Sequence, residues 1–146
     1  MQVDFYQLSR DPVERVVPLL AGKVLESGAK LAIAARDETL RSRLSDALWA
    51  QDPPAFLANG MAGEAGADRQ PILIGETCER TNNATMTLLA DGEWREEAAA
   101  FERAMLLFDD NATDAARDLW RQFAGRDDIE RRFFKQDERG RWKLPG

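Results

Sequence analysis

An α/β domain built on a mostly parallel sheet is the fold this sequence predicts, and three observations predict it. Strand-like and helix-like segments alternate along the first half of the chain. The run Leu31-Ala32-Ile33-Ala34-Ala35 is apolar without interruption, as a strand covered on both faces must be. Each of the first two strand-like runs leads into a segment of helical period, and two β-α units in succession predict parallel strands. With 146 residues the chain is large enough for a core of its own and reads as one domain, residues 1–146.

Taken in order, Val3-Asp4-Phe5-Tyr6-Gln7-Leu8 is the first strand. Asp11-Pro12-Val13-Glu14 opens a helix, with Asp11 as cap and Pro12 tolerated at the first helical position. That helix runs to Gly28 with Val13, Val16, Val17, Leu20 and Val24 on its apolar face, and Pro18 kinks it or marks its true start. The buried strand at residues 31–35 is followed by a second helix from about Asp37 to Ala50. Residues 51–69 hold Pro53, Pro54, Gly60, Gly63 and Gly66 and are expected to be mostly loop. Pro71-Ile72-Leu73-Ile74-Gly75 and Met86-Thr87-Leu88-Leu89-Ala90 are two further strands, with a turn at Thr81-Asn82-Asn83. A short helical stretch at residues 96–101 feeds the strand Ala104-Met105-Leu106-Leu107-Phe108. Asp109-Asp110-Asn111 then opens a C-terminal helix, where carboxylates complement the helix dipole. Two β-like pieces, Arg132-Phe133-Phe134-Lys135 and Arg141-Trp142-Lys143, close the chain.

Apolar residues make up 44% of the chain and charged residues 32%, an ordinary globular composition. A net charge of −6 argues against wrapping DNA or docking on an anionic membrane, both of which need a positive field over much of the surface. Cys78 is the lone cysteine, the N-terminus has no cationic start followed by an apolar run, and no stretch approaches the roughly 20 apolar residues of a membrane span. The expected location is the cytoplasm.

Little here supports catalysis. There is no histidine, which excludes histidine-based triads and metal sites, and a single cysteine cannot hold zinc. The first strand is followed by Ser9-Arg10-Asp11-Pro12, without the glycines that let a phosphate approach a helix N-terminus. The expected fold is therefore Rossmann-like without a nucleotide-binding fingerprint. Residues 60–66 are glycine-rich but contain no Walker lysine, and their role is left open. Asp109 and Asp110 are read as helix-capping residues in preference to a catalytic pair. No catalytic, cofactor-binding or metal-binding residue is expected.

The charge distribution is more informative. Residues 117–146 carry nine Lys/Arg against six Asp/Glu, while the preceding 116 carry eleven against twenty. On a helix over residues 111–124, Ala112, Ala115, Ala116, Leu119 and Phe123 share one face, and Arg117, Trp120, Arg121 and Ala124 form an adjoining stripe; Asp118 and Gln122 lie on the other side. A ring flanked by two guanidiniums, with no acid beside it, suits an anion that also has an apolar part. The alternative is a solvated basic face with a tryptophan at the core margin. A second surface is marked by Trp49, which points away from the Leu40, Leu44, Ala47 and Leu48 face of its helix, with Phe56 nearby in sequence. Either the 51–69 loop folds over both rings or they anchor a protein partner.

In this order and spacing, several segments resemble the chi subunit of bacterial DNA polymerase III holoenzyme. They are the opening residues 3–8, Leu48-Trp49-Ala50-Gln51-Asp52-Pro53 with Phe56-Leu57, Ala62-Gly63-Glu64, and Leu107-Phe108-Asp109-Asp110-Asn111. Ala115-Ala116-Arg117-Asp118-Leu119-Trp120-Arg121 follows, and residues 134–142 complete the set. Many family members carry histidine where Gln7 and Asn59 stand here. The resemblance implies a non-catalytic replication adaptor that needs no cofactor and meets DNA only indirectly. It implies that Arg117, Trp120 and Arg121 bind the acidic C-terminal tail of single-stranded DNA-binding protein, which ends in an aromatic residue with a free carboxylate; Phe108 is expected alongside Trp120 in the wall of the pocket for that last ring. It also implies that Trp49 and Phe56 meet the psi subunit of the clamp loader or, in some bacteria, a DNA-repair helicase. Adaptation of the same fold to such a helicase alone, or a nucleotide-dependent enzyme with an atypical phosphate site, are the competing readings.

Overall fold

The computed structural model describes residues 1–51, 57–137, 139 and 141–143. Among them, eight strands form one sheet: β1 (Gln2–Gln7), β2 (Leu31–Ala34), β3 (Asn59–Met61), β4 (Ile72–Gly75), β5 (Met86–Leu89), β6 (Arg103–Phe108), β7 (Glu130–Gln136) and β8 (Trp142–Lys143). Their order is β3-β4-β2-β5-β6-β1-β7-β8. The first seven run parallel, and β8 returns antiparallel on β7. β2 lies near the middle of the sheet and every one of its residues is buried, which is why it reads as a continuous apolar run.

Helices cover both faces. Helix α1 (Val13–Glu26) and helix α2 (Glu38–Trp49) bury Val16, Val17, Leu20, Val24, Leu44 and Leu48 against Ile33, Ile74, Leu88 and Met105. Helix α3 (Thr113–Ala124) covers the opposite face, where Ala116 and Phe123 join Val3, Phe5, Ala104 and Leu106. Residues 76–101 contribute Cys78, Ala84, Ala98 and Phe101 to that second core. The result is a single Rossmann-like α/β domain with one apolar layer on each side of its sheet.

Local chemistry sets most boundaries where the sequence put them, with three differences and one alternative, at Pro18, resolved. Asp11 does not cap α1: Pro12 occupies the cap position, and the Asp11 carboxylate accepts from Gln136 Nε2 at 3.0 Å. Pro18 is not the start of α1 but lies inside it, buried. The stretch read as mostly loop contains the short strand β3, while Gly63 and Gly66, at φ +86° and +82°, make the turns that follow it. The C-terminal helix begins at Thr113 after a 3-10 turn, Asp110–Ala112, in which the N–H of Asn111 donates to Asp109 Oδ1 at 3.0 Å. Asp37 caps α2 in the same way, accepting from Thr39 N at 3.1 Å.

Candidate functional site: a cationic aromatic recess between α3 and β7

The register of β7 on β1 builds one wall of the site. Phe5 is aligned with Phe133 and Asp4 with Arg132. Because side chains alternate along a strand, Phe133 joins the core on the α3 face while Phe134 stacks on Tyr6 on the α1 face, centroids 4.7 Å apart. Arg131 and Lys135 share the phase of Phe133. The opposite wall is α3, and Arg117, Trp120 and Arg121 of the helix together with Arg131, Arg132, Phe133 and Lys135 of the strand line an open recess of about 670 Å³.

Aromatic packing fixes the floor. Trp120 meets Phe5 edge to face at 5.2 Å and Phe133 at 5.8 Å with the rings near perpendicular, an arrangement that favours ring quadrupoles. Arg131 covers the Trp120 ring, its guanidinium carbon 4.0 Å from the centroid, and donates to the Trp120 carbonyl at 2.7 Å. Lys135 Nζ lies 5.9 Å from the Phe133 centroid. Trp120 and Phe133 remain half-buried, so each offers apolar surface next to a cation.

The cations differ in how free they are. Arg117 is exposed and pairs with no carboxylate among the described residues. Arg121 is also exposed but lies 3.3 Å from Asp118 Oδ1, so the expectation of a stripe with no acid beside it does not hold for this residue. The two side chains are 74% and 68% exposed, and such a pair is weak and screened. Arg132 points to the other face, where its Nε and Nη2 donate to Asp4 at 3.0 and 3.1 Å. Asp4 is fully buried and also accepts from Arg103 Nε at 2.6 Å, so it carries a guanidinium on each side. The hydrogen bond to Asp4 raises the pKa of Arg132.

Of the residues singled out in the sequence, Arg117, Trp120 and Arg121 come together. Phe108 does not reach the recess surface: it is 2% exposed and packs against Phe133 from behind, 5.8 Å between centroids. Arg131, Phe133 and Lys135 were not singled out, although their spacing of two residues was the available signal. On the far side of the molecule, Trp49 at 43% exposure and Leu19 at 59% are exposed large apolar side chains on α2 and α1, helices that pack together. Phe56 lies outside the described residues.

A crevice of about 830 Å³ opens where β1 and β6, adjacent in the sheet, send their chains to opposite faces. This is where doubly wound sheets hold nucleotides, but the lining has Asp11, Glu14, Asp91 and Asp109 against Arg10, a field that opposes phosphate. Burial acts to raise the pKa of Asp91, yet hydrogen bonds from Arg95 and the Arg36 N–H outweigh it and leave this carboxyl below its usual range. Among the described residues, no group of three or more acidic or cysteine side chains is placed to hold a metal ion, and no helix is long and apolar enough to cross a membrane.

Residues 1–128 match the family model for "DNA polymerase III chi subunit, HolC". The DNA polymerase III subunit chi of Escherichia coli (strain K12) is 26% identical over 129 residues, which cover 82% of this chain and 88% of that protein. The α3 wall of the recess falls inside the family match, and the β7 wall lies beyond residue 128. On the length of that match, the chain belongs to the DNA polymerase III chi subunit family and so to the accessory subunits of replication.

Proposed function

We propose that this chain is a non-catalytic adaptor whose α3–β7 recess takes the acidic C-terminal tail of single-stranded DNA-binding protein. The observation that carries the reading is the pairing of Arg117, Arg121 and Lys135 with half-buried Trp120 and Phe133 in one recess. The last ring of the tail packs on Trp120 and Phe133, and its terminal carboxylate and neighbouring aspartates meet Arg117 and Arg121. Phe108 acts from beneath by holding Phe133 in place. The exposed Trp49 serves the second partner, the psi subunit of the clamp loader or a repair helicase, so that the two partners bind opposite faces of the sheet. DNA is reached only through these proteins. A pull-down with full-length and tail-truncated single-stranded DNA-binding protein tests the first half: capture is expected to require the tail. Equal capture of both forms overturns the assignment, as does unchanged binding of a tail peptide at physiological salt after Arg117→Ala and Arg121→Ala are combined.

A further inference from the structure

The recess extends beyond side chains onto the main chain of β7. β8 pairs with β7 at Lys135 and Gln136, while β1 runs along the other side from Glu130 onward, so among the described residues no strand covers the outer side of 130–134. The phase of that edge is fixed at its start, where the Glu130 N–H donates to the Met1 carbonyl at 2.9 Å. Main-chain groups alternate sides along a ladder, so the N–H and C=O groups of Arg131 and Phe133 face outward. Among the described residues, no strand pairs with them on that side. Arg132 lines the recess even though its guanidinium is held by Asp4 on the other face, which places the strand edge itself in the recess wall.

The charge on this edge selects what can pair with it. β7 carries Arg131, Arg132 and Lys135 against the single acid Glu130. A second copy docking edge to edge would set cations against cations, the arrangement that natural sheets use to prevent self-association. An acidic strand meets the complementary charge.

We propose that the recess binds its acidic peptide by strand addition: the peptide extends along the outer edge of β7 and bonds the main-chain groups of Arg131 and Phe133. This rests on the tail-binding reading and adds the backbone conformation of the bound tail. In strand addition, main-chain hydrogen bonds supply affinity and alternate side chains reach the pockets. Here, alternate peptide side chains turn toward Trp120, Arg117 and Arg121, and the intervening ones turn to solvent.

The test uses the unmodified full chain and synthetic tail peptides in which one backbone amide at a time is N-methylated, with affinity measured by calorimetry. Amide hydrogen exchange by NMR is followed in parallel. Methylation is expected to weaken binding at least about tenfold at alternating positions and to change it less than about twofold between them. The Arg131 and Phe133 amides are expected to gain protection when peptide is added. If the unmodified peptide binds and no methylated position matters, strand addition is wrong and the tail site stands. Failure of the unmodified peptide to bind overturns both. Protection of these two amides that rises with protein concentration in the absence of peptide shows a second copy on the edge, and also overturns the proposal.

Discussion

Arg117→Ala removes a guanidinium that stands exposed on α3, one turn from Arg121, with no carboxylate partner among the described residues. Among the described residues, no ion pair has to be broken for Arg117 to meet an incoming carboxylate. A charge-assisted hydrogen bond contributes roughly 1.5–3 kcal/mol when sheltered. The exposure of Arg117 places it at the low end, where about 1.4 kcal/mol corresponds to tenfold weaker binding. Arg121 must first release Asp118, a surface pair at 3.3 Å that contributes about 0.3–0.5 kcal/mol. Arg121→Ala is therefore expected to cost less than Arg117→Ala. Asp118→Ala is expected to tighten binding about twofold, because it frees Arg121 and removes a repelling charge. Fluorescence anisotropy with a labelled tail peptide, at about 0.05 M and about 0.3 M salt, reads all three variants, and their differences should shrink as screening increases. Urea unfolding midpoints are expected to stay at the wild-type value. Weaker binding by Asp118→Ala would show that this carboxylate helps hold the ligand, which refutes the ranking and the pairing behind it.

Three further outcomes follow from other parts of the molecule. Asp4→Asn is expected to destabilise the fold by about 1–3 kcal/mol in urea unfolding, less than for a wholly buried pair, since Arg103 and Arg132 are 28% and 38% exposed. Asp91 has a folded-state pKa below its unfolded value, so its contribution is present above about pH 4 and is lost as pH falls through the folded value. The stability of Asp91→Asn should be lower than wild type at neutral pH and should fall less steeply below about pH 4 in acid titrations followed by circular dichroism. Trp49→Ala is expected to weaken capture of psi or of the helicase at least about tenfold while tail-peptide affinity stays unchanged, as pull-down and calorimetry on the same preparation will show.

Helical periodicity made one wall of the recess legible, because Arg117, Trp120 and Arg121 fall on one stripe whatever the rest of the chain does. The other wall depends on pairing. Arg131, Phe133 and Lys135 become a surface only when β7 is set on β1 in the register that places Phe133 beside Phe5, and a short run with aromatics on both faces does not reveal that partner. Phe108, expected in the wall of the pocket, is buried because its strand, β6, is covered on both faces, and β7 brings Phe133 between it and solvent. β3 escaped notice for a related reason. Its three residues, Asn59-Gly60-Met61, have the composition of a turn and extend only because β4 offers a ladder. The parallel sheet itself was legible because burial on both faces leaves a direct mark on composition, as in β2.

Arg131 bolts the two walls to each other: its guanidinium lies over the Trp120 ring of α3 and bonds the carbonyl of the same residue, while its own backbone belongs to β7. A recess joined in this way does not have to be assembled by the ligand, so little ordering entropy is lost in the protein on binding. For the proposed acidic tail, conformational gating is then not required, and encounter is expected to set the speed of association, with the cations on the rim steering the chain inward. Under the proposed tail binding the consequence at a replication fork is kinetic: contacts that form fast and are held by modest energies would be exchanged from one tail to the next without dismantling the protein that makes them.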